Sequence, residues 1–291
     1  MQVGIGDDCA VLRLPRGHEA LVTTDFNLEN VHFRRAWHPP DSVGHRCLAR
    51  GLSDIAAMGG EPMAAFLSLA LPPDVEQRWV DEFTKGLIRL AQRFRVPLAG
   101  GDTAQSPRGI LADIVVLGAV PAGKAVLRSG ARAGDLIYVT GRLGGAAAVL
   151  EQLRDGKNVR LKDSPAHFYP TPRLKVGRYL REHGLATAMI DISDGLSTDL
   201  NHICEASRAG ARIEATRVPI GDNVRDLALA LHGGDDYELL FTAARKRRVP
   251  GKIAGIAVTC IGEIVRGRGM KIVQDGREKK LTPGGWQHFE G

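Results

Sequence analysis

The stretch Gly100-Gly101-Asp102-Thr103 follows an apolar run at residues 96–99, and the predicted fold is organised around it. The apolar run predicts a β-strand that ends in a tight turn, because paired glycines permit positive φ or a close backbone approach. The carboxylate of Asp102 would then stand at the end of the strand. Taken alone, the same residues also fit a plain turn in which Asp102 accepts hydrogen bonds from nearby backbone donors.

Three further stretches repeat this arrangement of a short apolar segment beside an aspartate and Gly, Ser or Thr. They are Gly4-Ile5-Gly6-Asp7-Asp8, Thr23-Thr24-Asp25 and Asp191-Ile192-Ser193-Asp194-Gly195. A recurring carboxylate at strand ends indicates that several strands aim at one place. Asp54 adds another carboxylate near the end of a mostly apolar predicted helix, where a carboxylate needs a partner.

Length and composition indicate a globular protein with one large domain or two medium ones. The chain has 291 residues, of which 44% are hydrophobic and 25% charged, both ordinary values. No apolar run approaches the ~18–20 residues that span a bilayer, and the N-terminus has no export pattern. The four cysteines form no C-x-x-C pair. We therefore expect a cytoplasmic protein with reduced thiols, no zinc site and no membrane association.

The net charge of +6 favours an anionic small substrate over nucleic acid. Nucleic-acid binding usually requires a basic face with interleaved aromatic residues or a known module. Aromatic residues make up only 5% of the chain, and no such module is present. The dense basic run Arg245-Lys246-Arg247-Arg248 is predicted to be a solvated loop. An excess of positive charge that attracts a small anion is the simpler interpretation.

Apolar periodicity predicts alternating strands and helices with a domain boundary near residues 121–124. We assign residues 1–122 to an N-terminal domain and residues 123–291 to a C-terminal α/β domain. Residues 3–33 are predicted to form two strands, and a helix with an apolar face is predicted to start at Pro72-Pro73-Asp74. Other helices are predicted at 41–58, 144–153, 172–183 and 196–203, and other strands at 62–71, 110–120, 136–140, 189–192, 239–242, 259–265 and 269–274.

The acidic residues predict a magnesium site if their carboxylates converge. Two unit charges ~4 Å apart repel by about 4 kcal/mol at an effective dielectric of ~20, so several such groups need cations to stay ionised together. Oxygen ligands without clustered His or Cys favour Mg²⁺, and several Mg²⁺ ions beside glycine turns are typical of phosphoryl transfer. Arg128 could clamp a phosphate. In the alternative, each aspartate is a cap or turn residue, with Asp194 as a helix N-cap.

With these motifs laid out, the chain resembles the thiamine-monophosphate kinase family, within the superfamily of aminoimidazole ribonucleotide synthetase-like ATP enzymes. Eight motifs occur in order over nearly the whole chain, and together they are specific. They are Gly4-Ile5-Gly6-Asp7-Asp8, Thr23-Thr24-Asp25, Val31-His32-Phe33, Leu52-Ser53-Asp54-Ile55-Ala56-Ala57-Met58-Gly59, Gly100-Gly101-Asp102-Thr103, Arg128-Ser129-Gly130, Asp191-Ile192-Ser193-Asp194-Gly195 and Gly233-Gly234-Asp235-Asp236-Tyr237-Glu238.

The resemblance implies a fold, a reaction and a set of site residues. The implied fold is α+β with two domains, the N-terminal domains pairing their sheets in a homodimer. The implied reaction is the phosphorylation of thiamine monophosphate to thiamine diphosphate with ATP and Mg²⁺, by direct in-line transfer. The implied catalytic residues are Asp102 and Asp194, and the implied metal ligands are Asp8, Thr24, Asp25, Asp54, Asp102, Asp191 and Asp194. The implied ATP contacts are Thr23, Gly101, Asp102, Arg128 and Ser193. The implied contacts to the thiamine substrate are His32, Asp235 and Trp286.

Two departures from the family pattern leave alternatives open. The chain begins almost on the first motif, whereas the family usually has roughly twenty more residues before it, and Asp235 replaces the usual Glu. The alternatives are another ATP-using enzyme of the superfamily or a nucleotide-binding protein inactive through its short N-terminus. Without the resemblance, His32 would be a satisfied, partly buried histidine and Trp286 an anchor for the tail.

Overall fold

A computed structural model describes residues 1–6 and 8–286 and divides them into two compact units. Unit 1 comprises Met1–Ile55, Gly60–Lys124 and Phe168–Pro172. Unit 2 comprises Ala56–Gly59, Ala125–His167 and the residues from Arg173 onward.

Unit 1 is built on a four-stranded sheet with the strand order β1-β4-β2-β3. Its strands are β1 (His18–Leu28), β2 (Glu61–Leu71), β3 (Leu98–Gln105) and β4 (Leu111–Pro121). β2 and β3 run parallel, as expected for strands joined by a helix, and the other neighbours are antiparallel. The helices are α1 (Pro40–Ala57) and α2 (Gln77–Phe94).

The sheet of unit 1 has one face against α1 and one open face. Gly51 of α1 lies over Val116 and Ile114 of β4, which are fully buried. α2 packs on α1 through Gly86, where a Cβ would lie 1.8 Å from the Asp41 carbonyl oxygen. On the open face, Val22 is 66% exposed and Phe26 53% exposed. The alternation along β1 therefore places every second residue under α1.

Unit 2 contains an eight-stranded sheet whose main path has the order β12-β11-β7-β10-β5-β8-β6, with β9 paired to β10. β7 and β11 are parallel, and the other pairs are antiparallel. Buried aliphatic side chains from the sheet and from α6 form its core. The elements are β5 (Leu136–Thr140), α3 (Gly145–Arg154), α4 (Pro165–Phe168), α5 (Leu174–Glu182), β6 (Ala188–Ile192), α6 (Leu196–Ser207), β7 (Gly210–Glu214), α7 (Leu227–His232), β8 (Glu238–Ala243), β9 (Lys252–Ile253), β10 (Ile256–Val265), β11 (Gly269–Gln274) and β12 (Arg277–Leu281).

The mixed α/β architecture confirms the predicted fold class, and two predictions about strand ends were wrong. Gly100-Gly101-Asp102-Thr103 lies within β3, and Thr23-Thr24-Asp25 lies in the middle of β1. Among the described residues from 3 to 33 there is one strand, β1, and it is preceded by an isolated bridge between Val3 and Val11. Main-chain pairing with neighbouring strands continues through these polar residues, so loss of apolar character did not mark the end of a strand.

Other predictions were confirmed, with some elements missed. The strands predicted at 62–71, 110–120 and 136–140 are β2, β4 and β5. The predicted helix after Pro72 begins at Gln77 because residues 72–75 form a turn. The sequence reasoning missed α4, β7, α7, β9 and β12, and residues 245–248 form the exposed loop that it predicted. Within residues 1–6 and 8–286, no helix combines the length and the apolar character needed to cross a bilayer.

Candidate active site

The face of the unit 1 sheet that lies under α1 carries Thr23 and Asp25. The register pairs Thr23 with Val116 and Asp25 with Ile114, both of which face α1. The Thr23 hydroxyl donates to Asp54 Oδ2 across a very short contact. Arg50 Nε lies 3.3 Å from Asp25 Oδ1. Asp54, the carboxylate predicted on the apolar helix, therefore has a partner. The strand β1 and the helix α1 bring together three of the predicted residues, namely Thr23, Asp25 and Asp54.

The opposite face carries Thr24 and Asp102. The Thr24 hydroxyl donates to Asp113 Oδ1 over 2.7 Å. Asp113 of β4 is in register with Ser68 of β2, which is in register with Asp102 of β3. At ~4.8 Å between strands, the Cα atoms of Asp102 and Asp113 lie roughly 10 Å apart. The structure therefore places Asp102 on the other face of the sheet from Asp25.

Asp113 was missed by the sequence reasoning, although it interrupts the apolar run of β4 and could have been noticed for that reason. Asp102 is exposed, and its Oδ1 accepts the N–H of Thr103 over 2.8 Å. The glycine before it has a packing role, because a Cβ at Gly101 would lie 1.9 Å from the Leu67 carbonyl oxygen of β2. Asp8 lies in an exposed bend, and Asp7 of the same motif falls outside the described residues.

His32 lies in the turn after β1. Its ring Nδ1 accepts the backbone N–H of Leu28 over 2.9 Å, and the backbone N–H of His32 donates to the Leu28 carbonyl oxygen over 2.9 Å. Because Nδ1 is an acceptor here, the neutral ring carries its proton on Nε2. The ring is half-buried. The imidazole is thus held in a defined tautomer that presents Nε2–H as a donor.

The loop between β6 and α6 in unit 2 is organised by Asp199. Asp199 Oδ2 accepts the backbone N–H groups of Ser193, Asp194 and Gly195 at 3.1, 3.2 and 3.1 Å. Burial, followed by the charges of Asp191 and Asp194, raises the pKa of the Asp199 carboxyl to about 8. An Asp in the first turn of a helix is common for dipole reasons, so its sequence signal was weak.

Asp194 is not the N-cap of α6, contrary to the alternative considered from the sequence. The N-cap position is taken by Gly195, which has no capping side chain. One ligand atom each from Asp194, Asp199 and His202 lie within 4.8 Å of one another. Asp191, in β6, is only 4% exposed. The loop and α6 therefore gather carboxylate oxygens and one imidazole at one end of unit 2.

The Gly233-Gly234-Asp235-Asp236-Tyr237-Glu238 segment packs against the same loop. The Asp235 N–H donates to the Ser193 carbonyl oxygen over 2.8 Å. Asp235 and Tyr237 have positive φ, at 65° and 50°, and the Tyr237 hydroxyl donates to Asp235 Oδ1 over 2.6 Å. A Cβ at Gly234 would lie 2.5 Å from the Ser193 carbonyl oxygen. Asp235 is thereby fixed beside Ser193.

The other two acids of this segment are buried and hold unit 2 together. Asp236 Oδ2 accepts the N–H of Gly144 over 2.7 Å at the start of α3, and burial raises the pKa of its carboxyl to about 8. Glu238 accepts from Thr140 over 2.5 Å and from two nitrogens of Arg173. Their environment indicates a structural role for both carboxyl groups.

Trp286 and Arg128 complete the positions predicted in unit 2. The backbone N–H of Trp286 donates to the Asp194 carbonyl oxygen over 3.1 Å, and Trp286 is 48% exposed. The Arg128 side chain is exposed, and its carbonyl oxygen accepts from the Ser207 hydroxyl over 3.3 Å. Backbone hydrogen bonds thus link Asp235, Trp286 and the β6–α6 loop, whereas Arg128 is held beside the C-terminal end of α6.

Comparisons with known proteins identify relatives of both parts of the chain. Residues 6–120 match the family model for the AIR synthase related protein, N-terminal domain, and residues 132–275 match that for the C-terminal domain. In an alignment of 307 residues, the chain is 39% identical to the thiamine-monophosphate kinase of Escherichia coli K12. The alignment covers 99% of this chain and 92% of that protein.

Two solved structures are similar over most of their length. The thiamine-monophosphate kinase of Stenotrophomonas maltophilia K279a superposes with a TM-score of 0.86 at 35% identity, covering 94% of this chain and 91% of that one. A structure described as AaThiL complexed with AMPPCP and TMP has a TM-score of 0.85 at 33% identity, covering 94% and 89%. The chain therefore belongs to the thiamine-monophosphate kinase family of AIR synthase related proteins.

Proposed function

We propose that this chain transfers the γ-phosphoryl group of ATP to thiamine monophosphate and forms thiamine diphosphate. The observation that carries the proposal is the similarity over nearly the full chain to a protein crystallised with an ATP analogue and TMP. The predicted motifs are distributed over both units and, apart from Asp7, lie among the described residues, which supports the same activity here. The four cysteines are free, in keeping with the cytoplasmic location that we expect.

We assign the metal-binding role to oxygen ligands in both units. In unit 1 they are Asp8, Thr24, Asp25, Asp54 and Asp102, and in unit 2 they are Asp191 and Asp194. Carboxylates and hydroxyls are the ligands that Mg²⁺ prefers, so the donor set fits this ion. When bound, Mg²⁺ neutralises phosphate charge and orients the phosphate oxygens.

The remaining assignments concern the two substrates. ATP would contact Thr23, Gly101, Asp102, Arg128 and Ser193, and the exposed guanidinium of Arg128 suits a phosphate. Thiamine monophosphate would contact His32, Asp235 and Trp286.

The chain's own contribution to the reaction is to bind and orient. The Nε2–H of His32 is a donor held in one tautomer, and Trp286 offers an indole face to a cationic ring. No side chain is needed as general base, because a phosphate monoester is already largely ionised at neutral pH. The terminal phosphate oxygen of thiamine monophosphate attacks the γ-phosphorus of ATP in line, and the bond to the β-phosphate oxygen breaks. Asp102 and Asp194 are the residues that we assign to this step.

We also propose that the open face of the unit 1 sheet pairs with a second copy of the chain. Exposed apolar side chains on a sheet face mark a site for association. Val22 and Phe26 are 66% and 53% exposed on this face, which also carries the polar residues Thr24 and Asp102. Light scattering on the full chain measures the mass directly, and a monomeric mass at micromolar concentration would contradict the pairing.

The test of the kinase proposal is product formation by the purified full chain. The chain is incubated with ATP, Mg²⁺ and thiamine monophosphate, and thiamine diphosphate is measured by chromatography. Free thiamine as acceptor and a chelator-treated sample are the controls. We expect product only from the monophosphate and only with the metal.

Asp102→Asn should lower kcat by about 100-fold or more, the scale for removing one electrostatic contact from a transition state. Asp81→Asn, an exposed change on α2, should keep full activity. ATP binding without turnover of thiamine monophosphate would contradict the proposal and favour another ATP-using reaction of the superfamily.

A further inference from the structure

Three consecutive buried polar side chains open α6. Ser197, Thr198 and Asp199 are 0%, 8% and 1% exposed. Buried polar atoms need hydrogen-bond partners, and all three side chains accept backbone N–H groups from other segments of unit 2. Asp199 accepts from the β6–α6 loop. The two hydroxyls accept the backbone N–H groups of residues 284 and 285, to which no role in the reaction is assigned.

Residues 283–286, here called the arm, lie on this first turn of α6. The Gly284 N–H donates to Ser197 Oγ over 3.2 Å, and the Gly285 N–H donates to Thr198 Oγ1 over 3.1 Å. Ser197 Oγ also lies 2.8 Å from His232 Nδ1. The hydroxyl can therefore accept from the arm and donate to the imidazole at the same time. Every backbone N–H from 284 to 286 has an acceptor on α6 or on the loop before it.

The glycines of the arm are required for its close approach to unit 2. A Cβ at Gly285 would lie 2.0 Å from the Asp194 carbonyl oxygen and 2.6 Å from Thr198 Oγ1. A Cβ at Gly284 would lie 2.8 Å from His232 Nδ1. Neither glycine has a positive φ, so backbone freedom does not explain them. The absence of a side chain allows the arm to reach the loop.

We propose that Thr198 and Gly285 are positioning residues that seat Trp286 beside the Asp194 loop for recognition of thiamine monophosphate. The inference rests on the proposed function, because it takes Trp286 as a contact to the thiamine ring. The backbone N–H of Trp286 donates to the Asp194 carbonyl oxygen. This hydrogen bond holds the backbone that carries the indole side chain beside a residue assigned to metal binding. One turn of α6 thereby positions a substrate contact and a metal ligand together.

Misplacing Trp286 should affect substrate binding more than ATP binding. The indole would contact the cationic ring of the substrate, and cation–π contacts contribute about 0.5–2 kcal/mol. We therefore expect a loss of roughly 3- to 30-fold in affinity for thiamine monophosphate. The ATP contacts are assigned to other residues, so KM for ATP should change less than twofold.

The experiment compares four variants of the full chain, with a fifth, Trp286→Phe, as the fluorescence reference. Thr198→Val keeps the shape but removes the acceptor for the Gly285 N–H, and Thr198→Ser restores it. Gly285→Ala places a methyl group against the Asp194 carbonyl oxygen. Gly251→Ala is the control, because nothing lies within 4 Å of its Cβ position and its φ is ordinary. The measurements are KM for each substrate, kcat, the thermal midpoint, and acrylamide quenching of Trp286 fluorescence without substrate, obtained by difference from Trp286→Phe.

The expected result is a higher KM for thiamine monophosphate and stronger quenching in Thr198→Val and Gly285→Ala. Thr198→Ser and Gly251→Ala should match the parent chain. Unchanged KM and quenching in an active enzyme would overturn the inference while leaving the proposed function intact. Equal rises in both KM values with a lower thermal midpoint would also overturn it, since they indicate a merely structural role. A parent chain without kinase activity would overturn the proposed function and the arm's role in recognition together, whatever the quenching shows.

Discussion

Two segments of the chain share the sequence Gly-Gly-Asp and have different structures. Gly100-Gly101-Asp102 continues an extended strand, and its aspartate is exposed. Gly233-Gly234-Asp235 belongs to a loop in which Asp235 and Tyr237 have positive φ and the next acid, Asp236, is buried. In both, the second glycine allows a close backbone approach, to Leu67 in one case and to Ser193 in the other. The Gly-Gly-Asp motif allows its backbone to lie close to another segment, and the residues around the motif determine the role of the acid.

The two segments differ in which groups donate hydrogen bonds to their acids. In the first, Asp102 accepts only a local N–H from the residue after it among its described contacts. In the second, Asp236 accepts from the start of α3, and Glu238 is paired with Arg173. An acid satisfied by distant backbone or by a buried cation contributes to stability. An exposed acid with a local contact is available for ligands.

The largest expected effect comes from breaking the buried pair of the second segment. The Arg173 side chain is 18% exposed and that of Glu238 5%. Arg173→Met keeps the alkyl length and leaves the Glu238 carboxylate buried without its cation. Removing one partner of a buried pair costs about 3–5 kcal/mol. We expect a loss of this size in the free energy of unfolding, measured by urea denaturation.

The matched control is the exposed pair of Arg245 and Glu263, with side chains 60% and 35% exposed. Arg245→Met should cost less than about 1 kcal/mol. Equal losses in the two variants would show that burial does not set the cost of losing an ion pair and would contradict the structural role given to Glu238.

A smaller effect should appear in the pH dependence of stability. Burial raises the pKa of the Asp236 carboxyl to about 8 in the folded chain, whereas an unfolded Asp titrates near ~3.9. Between these values the folded state binds the extra proton, so the free energy of unfolding falls as pH rises. The fall for one proton is about 1.4 kcal/mol per pH unit.

Asp236→Asn imitates the protonated carboxyl and should remove this fall. The variant should gain stability relative to the parent by about 1.4 kcal/mol for each pH unit between 5 and 7. Urea denaturation of both proteins at pH 5, 6 and 7 measures the difference, in which contributions from other groups cancel. Parallel curves would mean that Asp236 is ionised throughout this range.

The comparison also shows what could be predicted from the sequence. Apolar periodicity located α1, α2, β2 and β4, because their patterns are long. It placed Asp25 and Asp102 at strand ends, because polar residues on one face of a strand resemble a turn in sequence. The register that separates these two acids depends on pairing between distant strands. Local sequence carries no signal for that pairing.

Site residues that act through the backbone were the hardest to predict. Asp194 was singled out because it stands beside glycine after a strand, whereas Asp199 was missed although it organises the same loop. Its three donors come from residues 193–195, and only the folded turn brings them to one oxygen. Thr198 and Gly285 were missed for a related reason, since they are 87 residues apart and meet through a single hydrogen bond.

The smallest expected effect on the free energy of unfolding concerns Asp102, in the exposed segment. Asp102 is exposed, and its described hydrogen bond is to the N–H of Thr103, which an asparagine side-chain oxygen can also accept. Asp102→Asn should therefore change the free energy of unfolding by less than about 0.5 kcal/mol, although it should abolish most kinase activity. Urea denaturation at pH 7 without metal checks this, with the parent chain measured alongside. A loss above ~1 kcal/mol would assign Asp102 a structural role within β3, because a carboxylate kept for ligand binding contributes little to the fold when the ligand is absent.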